Sequence, residues 1–415
     1  MAGDEIGPGD QVGGMQRLGT KAQVGDGHRA GLLRVVHEVA LRVVVGRRAD
    51  DLDRILVGAD GAVRAQAVEQ RPVDFRTFGR EGGIEGQAGV GHVVVDADGE
   101  PRLRRLPGQF GEDRRRHTYI IGKSGTGKTT LIANMAIDDI RKGRGVAVID
   151  PHGDLCNTIL DYVPSNRVND CCYFNPADPD YVYPLNVLES KNESQKELVA
   201  SGVISIFKKL YGTVSWGPRL EHILRNAVLT LVNTPGSDLT HIVEILTNKN
   251  YRDKIVSQLT NPTLKNFWIN EFGRMDQKFQ NESVSPILNK VGQFISSTNI
   301  RNTVAHPRSK IDIQSIMDQK KILIADLSTG KLGEDNSALL GAMLITQIQL
   351  SAMNRVFQSA DERADFYLYV DEFQNFATEA FIKILSEARK FKLNLIVANQ
   401  YMSQLDKTIQ DAILG

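Results

Sequence analysis

Long apolar runs are missing from this chain. Nowhere do about 18 apolar residues follow one another, so no membrane-spanning helix is written into it. The nearest approach, residues 338–353, is interrupted by Thr346, Gln347 and Gln349 and reads as a core helix. Cysteine is scarce as well. The three present, Cys156 and the adjacent Cys171 and Cys172, match no metal-ligand spacing and make no disulfide framework, which suits a reducing, cytosolic setting. Net charge is absent: 50 basic side chains balance 50 acidic ones. No global basic field therefore advertises nucleic acid, and any such surface has to be local. No secretory signal is visible at the N-terminus. A length of 415 residues with 41% hydrophobic content still supports two to three domains with sizeable cores.

A second set of absences divides the chain. Residues 1–110 contain no serine, asparagine, tyrosine, tryptophan or cysteine, yet hold 20 of the 37 glycines and 14 arginines against one lysine, Lys21. Valine runs at 43–45 and 93–95 have strand character, but no motif is present. The segment is either a small accessory domain or a foreign or mis-started reading frame joined to a gene fragment, and the missing Ser and Asn favour the second. It is expected to have weak structure and is given no function.

What the sequence does contain is concentrated first in residues 117–140. A short apolar run, Tyr119, Ile120 and Ile121, reads as a buried strand. It breaks into Gly122, Lys123, Ser124, Gly125, Thr126, Gly127, Lys128 and Thr129, followed by Thr130, which satisfies G-x-x-x-x-G-K-[ST] at every fixed position. Ile132, Met135, Ala136 and Ile140 then recur at helical spacing, with Asn134, Asp138 and Asp139 expected to face elsewhere. Strand, glycine loop and helix in this order make a nucleoside triphosphate site. Backbone N–H groups curl around phosphate oxygens, and the helix N-terminus adds partial positive charge. Lys128 is expected to reach the β- and γ-phosphates, and the Thr129 hydroxyl to ligate Mg²⁺.

Further along, residues 146–149 form a second strand ending in Asp150, Pro151, His152, Gly153 and Asp154. Asp150 can hold a Mg²⁺-bound water or position the loop; His152 is as readily a turn residue as a catalytic one. A third strand is expected at 171–174. Residues 193–305 carry helical periodicity and little strand signal, with apolar faces at Leu220, Ile223, Leu224, Ala227, Val228 and Leu231, at Ile242, Ile245 and Leu246, and at Ile287, Leu288, Val291, Phe294 and Ile295. Lys208, Lys209, Tyr211, Trp216, Arg219, Lys265 and Trp268 in this stretch either meet DNA or belong to an ordinary solvated face.

Strands resume at 321–325, and a core helix follows at 338–356. Residues 366–370 then run into Asp371 and Glu372. In P-loop enzymes the first carboxylate at such a strand end holds Mg²⁺ through water, and a second orients and deprotonates the attacking water. Phe376, Phe381, Ile384, Leu385 and Ala388 give the apolar face of the next helix, and 393–398 the strand that closes with Asn399 and Gln400. Gln400 either senses a γ-phosphate or serves as a structural amide. Arg389 ends a helix about 20 Å long that runs away from the phosphate edge. It is out of reach of its own subunit's phosphate, so it is either an arginine finger for a neighbour or a cation at a helix C-terminus.

Together these residues resemble the HerA/FtsK group of ring-forming DNA motors, and within it the conjugative coupling-protein and type IV secretion ATPases. The resemblance runs from about residue 110 to the C-terminus. Its carriers are Asp113-Arg-Arg-Arg-His117 leading into the glycine loop, Ile149-Asp-Pro-His-Gly-Asp154, Asp371-Glu-Phe-Gln-Asn-Phe376, Ser386-Glu-Ala-Arg-Lys390, and Ala398-Asn-Gln400 with Ser403-Gln-Leu-Asp406. It implies an α/β fold: a RecA-like P-loop core with a mostly parallel sheet and an inserted all-helical domain. The division is residues 1–109 atypical, 110–192 the first part of the core, 193–305 the helical insertion, and 306–415 the second part, truncated where the family continues.

The resemblance also implies ATP and Mg²⁺ as cofactors. Lys128, Glu372, Gln400 and, acting in trans, Arg389 are the implied catalytic residues, with Thr129 and Asp371 on the metal. A homo-hexamer around DNA is implied, with relaxase and secretion-channel components as partners. The membrane helices usual in coupling proteins are missing, so the expected location is cytoplasmic, at the inner face of the membrane through partners. Two other readings stay open: a HerA-type repair helicase-translocase, and a non-motor P-loop nucleotide-binding protein.

Overall fold

Short, largely apolar runs rich in aliphatic and aromatic residues, of the kind that suit a sheet covered on both faces, build six parallel strands. The structure, a computed structural model, describes Arg115, residues 117–414 and three strands nearer the N-terminus, Leu41–Val45, His92–Val95 and Pro101–Arg104. The six are β1 Thr118–Gly122, β2 Gly145–Asp150, β3 Cys171–Phe174, β4 Ile322–Asp326, β5 Phe366–Val370 and β6 Leu393–Asn399. Their order across the sheet is β1-β6-β5-β2-β4-β3, with every neighbouring pair parallel. Leu41–Val45 lies antiparallel along the other side of β1, and His92–Val95 pairs with Pro101–Arg104. Both valine runs are thus strands; the weak structure expected for the rest of residues 1–109 falls outside the described residues.

The helices that matter for the site are α1 Lys128–Arg141, α2 Lys196–Ser215, α3 Pro218–Val232, α4 Gln277–Ser296, α5 Glu334–Asn354 and α6 Glu379–Glu387. Successive strand residues serve two cores, as a period of two requires. Ile120, Val148, Ile324, Tyr369 and Ile396 pack with Ile132, Ala136 and Ile140 of α1. Tyr119, Ile149, Ala325, Leu368 and Leu395 join the larger core with Leu340, Leu344 and Ile348 of α5. Between β3 and β4 every regular element is a helix, and α2 packs on both α3 and α5, which docks the insertion on the sheet's helical layer. Among the described residues no helix is long and apolar enough to cross a membrane.

Several sequence expectations change in three dimensions. Asp139, expected to face away from the core, is fully buried and accepts the Tyr369 hydroxyl and, at 2.8 Å, the Arg144 guanidinium. Both oxygens are paired, which is what lets a carboxylate sit in the core. Phe376 does not lie on the helix assigned to it; it ends a single turn before α6 begins. Val356 lies outside the core helix and is 58% exposed. Trp268 is core, its indole N–H on the Thr230 hydroxyl at 2.8 Å, and Trp216 is held by Glu221 at 2.6 Å. The Trp268 ring is therefore committed to packing, Trp216 is half-buried, and the Tyr211 side chain lies outside the described residues.

Gly341, in the middle of α5, touches the ring of Phe376 with its backbone: a Cβ there would stand 2.2 Å from the ring. In an open helix Gly→Ala stabilises by about 1 kcal/mol. Here the clash reverses the sign, and Gly341→Ala is expected to destabilise the fold by about 1–3 kcal/mol in urea unfolding. A neutral or stabilised variant would show that the ring moves aside freely.

Candidate active site

The glycine loop leaves β1 at Gly122 and enters α1 at Lys128. Gly125 and Gly127 adopt φ of +78° and +87° with open space where a Cβ would point, so they serve the loop's curl rather than relieve crowding. Gly127 heads α1 with no side-chain cap, and the first turn carries no acidic residue. Its N–H groups are consequently available to an anion. Lys128 is buried and its ammonium rests on the Lys123 carbonyl at 3.3 Å. Lys123, Ser124, Thr129 and Thr130 line an exposed stretch, and Thr126 is half-buried.

One strand away from β1, β5 ends at Asp371 and Glu372. The Thr129 hydroxyl donates to Asp371 Oδ2 at 2.9 Å, tying α1 to this strand end. The Glu372 N–H donates to Asp371 Oδ1 at 2.9 Å, and the Asp371 N–H to the Ile149 carbonyl at 3.2 Å. Glu372 takes a left-handed φ of +43°, which turns its side chain away from the line of the strand. Its carboxylate accepts the Gln400 amide on Oε1 at 3.3 Å and the Gln374 amide on Oε2 at 2.6 Å. Gln400 is carried at the tip of β6, the strand between β1 and β5. The Tyr119 hydroxyl, on Asn399 Oδ1, and the Asn399 amide, on the Tyr401 carbonyl at 3.0 Å, secure that tip.

Electrostatics separate three strand-end aspartates. Burial pushes the Asp150 carboxyl up, against the hydrogen bonds it receives from the His152 and Cys156 amides. Those bonds, at 2.8 and 3.1 Å, show Asp150 shaping its loop. His152 is exposed. Burial also opposes ionisation of Asp326, but hydrogen bonds from Ser328 and Lys331 outweigh it and hold that carboxyl below the ordinary range. Asp371 is raised, by burial first, with the Glu372 charge adding to it and the Thr129, Glu372 N–H and Lys128 interactions working against. Asp326 has its cation at 3.0 Å; among the described residues Asp371 has only a hydroxyl and an amide within bonding distance. That deficit beside a phosphate loop fits a divalent cation held between Asp371 and Thr129.

Arg389 lies in the turn Ala388–Phe391 after α6, at the opposite edge of the sheet, and is exposed; among the described residues its guanidinium has no hydrogen-bond or ion-pair partner. Beside it sits His117, at a left-handed φ of +72°, whose Nδ1 accepts the Leu395 N–H at 3.1 Å. Burial lowers the His117 pKa to about 4, the Leu385 backbone opposing and the Arg389 charge adding to the shift. Lys128, Thr129, Asp371, Glu372 and Gln400 are thus brought together, and Arg389 is not. Sequence reading names Gln374 and His117 only as members of the motifs that carry the resemblance and gives neither a role. The only signal for Gln374 was an amide two positions beyond the second carboxylate.

A family model for the type IV secretion-system coupling protein DNA-binding domain matches residues 110–411. Among solved structures, the bacterial conjugative coupling protein TrwB, lacking its first 70 residues and unbound, superposes with a TM-score of 0.51 at 16% identity, covering 79% of this chain and 70% of that one. The plasmid coupling protein TrwB in complex with ADP and Mg²⁺ gives 0.51 at 16%, covering 79% and 72%. VirB4 of Thermoanaerobacter pseudethanolicus gives 0.50 at 16%, covering 80% and 82%. At these identities the likeness speaks for the fold. No curated protein matches significantly.

Because burial raises the folded-state pKa of Asp371, the fold is more stable with this carboxyl protonated and loses that increment as pH rises through the folded-state pKa. Asp371→Asn keeps the shape and removes the loss. The nucleotide-free chain is expected to become more stable at neutral pH, while Mg²⁺ no longer tightens nucleotide binding. Urea unfolding, paired with nucleotide titrations with and without Mg²⁺, checks both halves; a less stable variant contradicts the electrostatic account.

Proposed function

The chain belongs to the type IV secretion-system coupling protein DNA-binding domain family, and from that premise we propose that it is an ATP-hydrolysing motor that moves DNA in conjugative transfer. The observation that carries this reading is the Glu372 carboxylate standing one strand from the Lys128 loop, bonded by Gln400 from the strand between. A nucleotide kinase or a passive nucleotide scaffold has no use for a water base at that spot.

In the proposed cycle the loop amides and the first turn of α1 hold the phosphate oxygens, and Lys128 turns from the Lys123 carbonyl toward the β- and γ-phosphates. Thr129 and Asp371 would hold Mg²⁺. The Thr129 proton already points at Asp371, which leaves the hydroxyl lone pairs for a cation. When bound, the metal neutralises charge on the phosphates and on Asp371. Glu372 takes a proton from the water that attacks the γ-phosphorus. The new P–O bond forms as the bond to the β-phosphate oxygen breaks, and ADP leaves with that electron pair.

Gln400 couples the γ-phosphate to Glu372. Arg389 serves the neighbouring subunit of a homo-hexameric ring with DNA in its pore. Relaxase and secretion-channel components hand the DNA on, at the inner face of the membrane.

Two measurements test the proposal. Glu372→Gln is expected to bind ATP normally while DNA-stimulated hydrolysis falls at least about a hundredfold; hydrolysis that ignores both DNA and this substitution refutes the motor. Arg389→Ala is expected to lower kcat about a thousandfold, and mixing it with Lys128→Ala subunits to restore part of the activity at hybrid interfaces. Strictly additive, dead mixtures would remove Arg389 from the neighbour's site.

A further inference from the structure

We propose that Gln374 is a positioning residue that sets the orientation of the Glu372 carboxylate, an inference that rests on Glu372 being the water base. A carboxylate at the end of three rotatable bonds, on a residue with left-handed backbone, needs outside restraint to face a water molecule in one orientation. Two amides provide it, one on each oxygen. The Gln374 bond at 2.6 Å is shorter than the Gln400 bond at 3.3 Å and is the stronger restraint. Each carboxylate oxygen has a second lone-pair site, so the clamp leaves either oxygen able to accept a water proton.

The amide is itself held in place. Gln374 sits in the single turn Phe373–Asn375, and the rings before and after it, Phe373 and Phe376, are fully buried. Phe373 packs on Phe381 of α6 with ring centroids 4.3 Å apart, and Phe376 lies against Gly341 of α5. The turn that carries Gln374 cannot shift without unpacking two aromatic contacts. Its hydrogen bond to Glu372 is the one polar contact it makes among the described residues, its carbonyl oxygen being buried without a donor. A purely structural side chain at this place would be served as well by leucine.

Gln374→Leu keeps most of the bulk, one bond shorter, and removes the donor. In DNA-stimulated ATP hydrolysis its kcat is expected to fall about 10- to 100-fold, with KM for ATP within about twofold of the parent and the thermal midpoint unchanged. Gln374→Glu places two carboxylates in contact. Its kcat is expected to be lowest at alkaline pH and to recover, relative to the parent profile, as pH falls and a shared proton restores the bridge. That pH response decides the matter if the leucine variant folds poorly. Unchanged kcat in Gln374→Leu alongside an inactive Glu372→Gln would overturn the role of Gln374 while leaving the base assigned. A raised KM at normal kcat, or a Gln374→Glu variant without pH recovery, would overturn it too. An active Glu372→Gln would remove the base and this inference with it.

Discussion

The position of one strand governs this chain. With β6 between them, β1 and β5 carry the glycine loop and the paired carboxylates to the same edge of the sheet at a separation of about 10 Å. Were the two strands adjacent, the carboxylates would crowd the phosphate loop. With two strands between, Glu372 would be too far to act on the same phosphate. The single intervening strand also brings Gln400 to the midpoint, and the Thr129–Asp371 hydrogen bond joins the two sides across it.

Charge is distributed along that edge by the same logic. A buried carboxylate is costly unless paired, and the strand ends carry several. Asp150 is satisfied by backbone amides and Asp326 by Ser328, Tyr173 and Lys331. Asp371 alone of these is left with a hydroxyl and an amide beside a phosphate loop. A cation arriving with nucleotide, as proposed, would remove that deficit.

The surroundings of Glu372 reach well beyond the site. The turn that follows it is pinned to α5 through Phe376 and Gly341, and α5 is the helix on which α2 of the insertion packs. At the far edge, Arg355 is buried and joins Asp318, the Ala364 carbonyl and the Phe391 carbonyl, bracing the turn that carries Arg389. A continuous set of packed elements therefore runs from the helical insertion to the carboxylate, and a second brace fixes the exposed arginine. Tight packing of this kind moves in discrete steps rather than by gradual deformation.

Much of this was legible in the residues. Six parallel strands, the helical stretch between β3 and β4, and the loop from Gly122 to Thr130 are local patterns, each decided by periodicity or backbone sterics within a few consecutive positions. Asp139 and Phe376 were misread for one reason: helical spacing assigns a face but does not reveal a tyrosine hydroxyl arriving from another strand, or a glycine in a distant helix that admits a ring. The contact of Gln374 with Glu372 was invisible because it is fixed by a left-handed turn that no composition announces. The amino-acid order by itself determined that a phosphate loop, a carboxylate pair and a helical insertion exist. Only the tertiary structure decided which strand stands between which, and so that Glu372 is clamped by Gln374 and Gln400, because strand order follows from long-range packing that leaves no period in the chain.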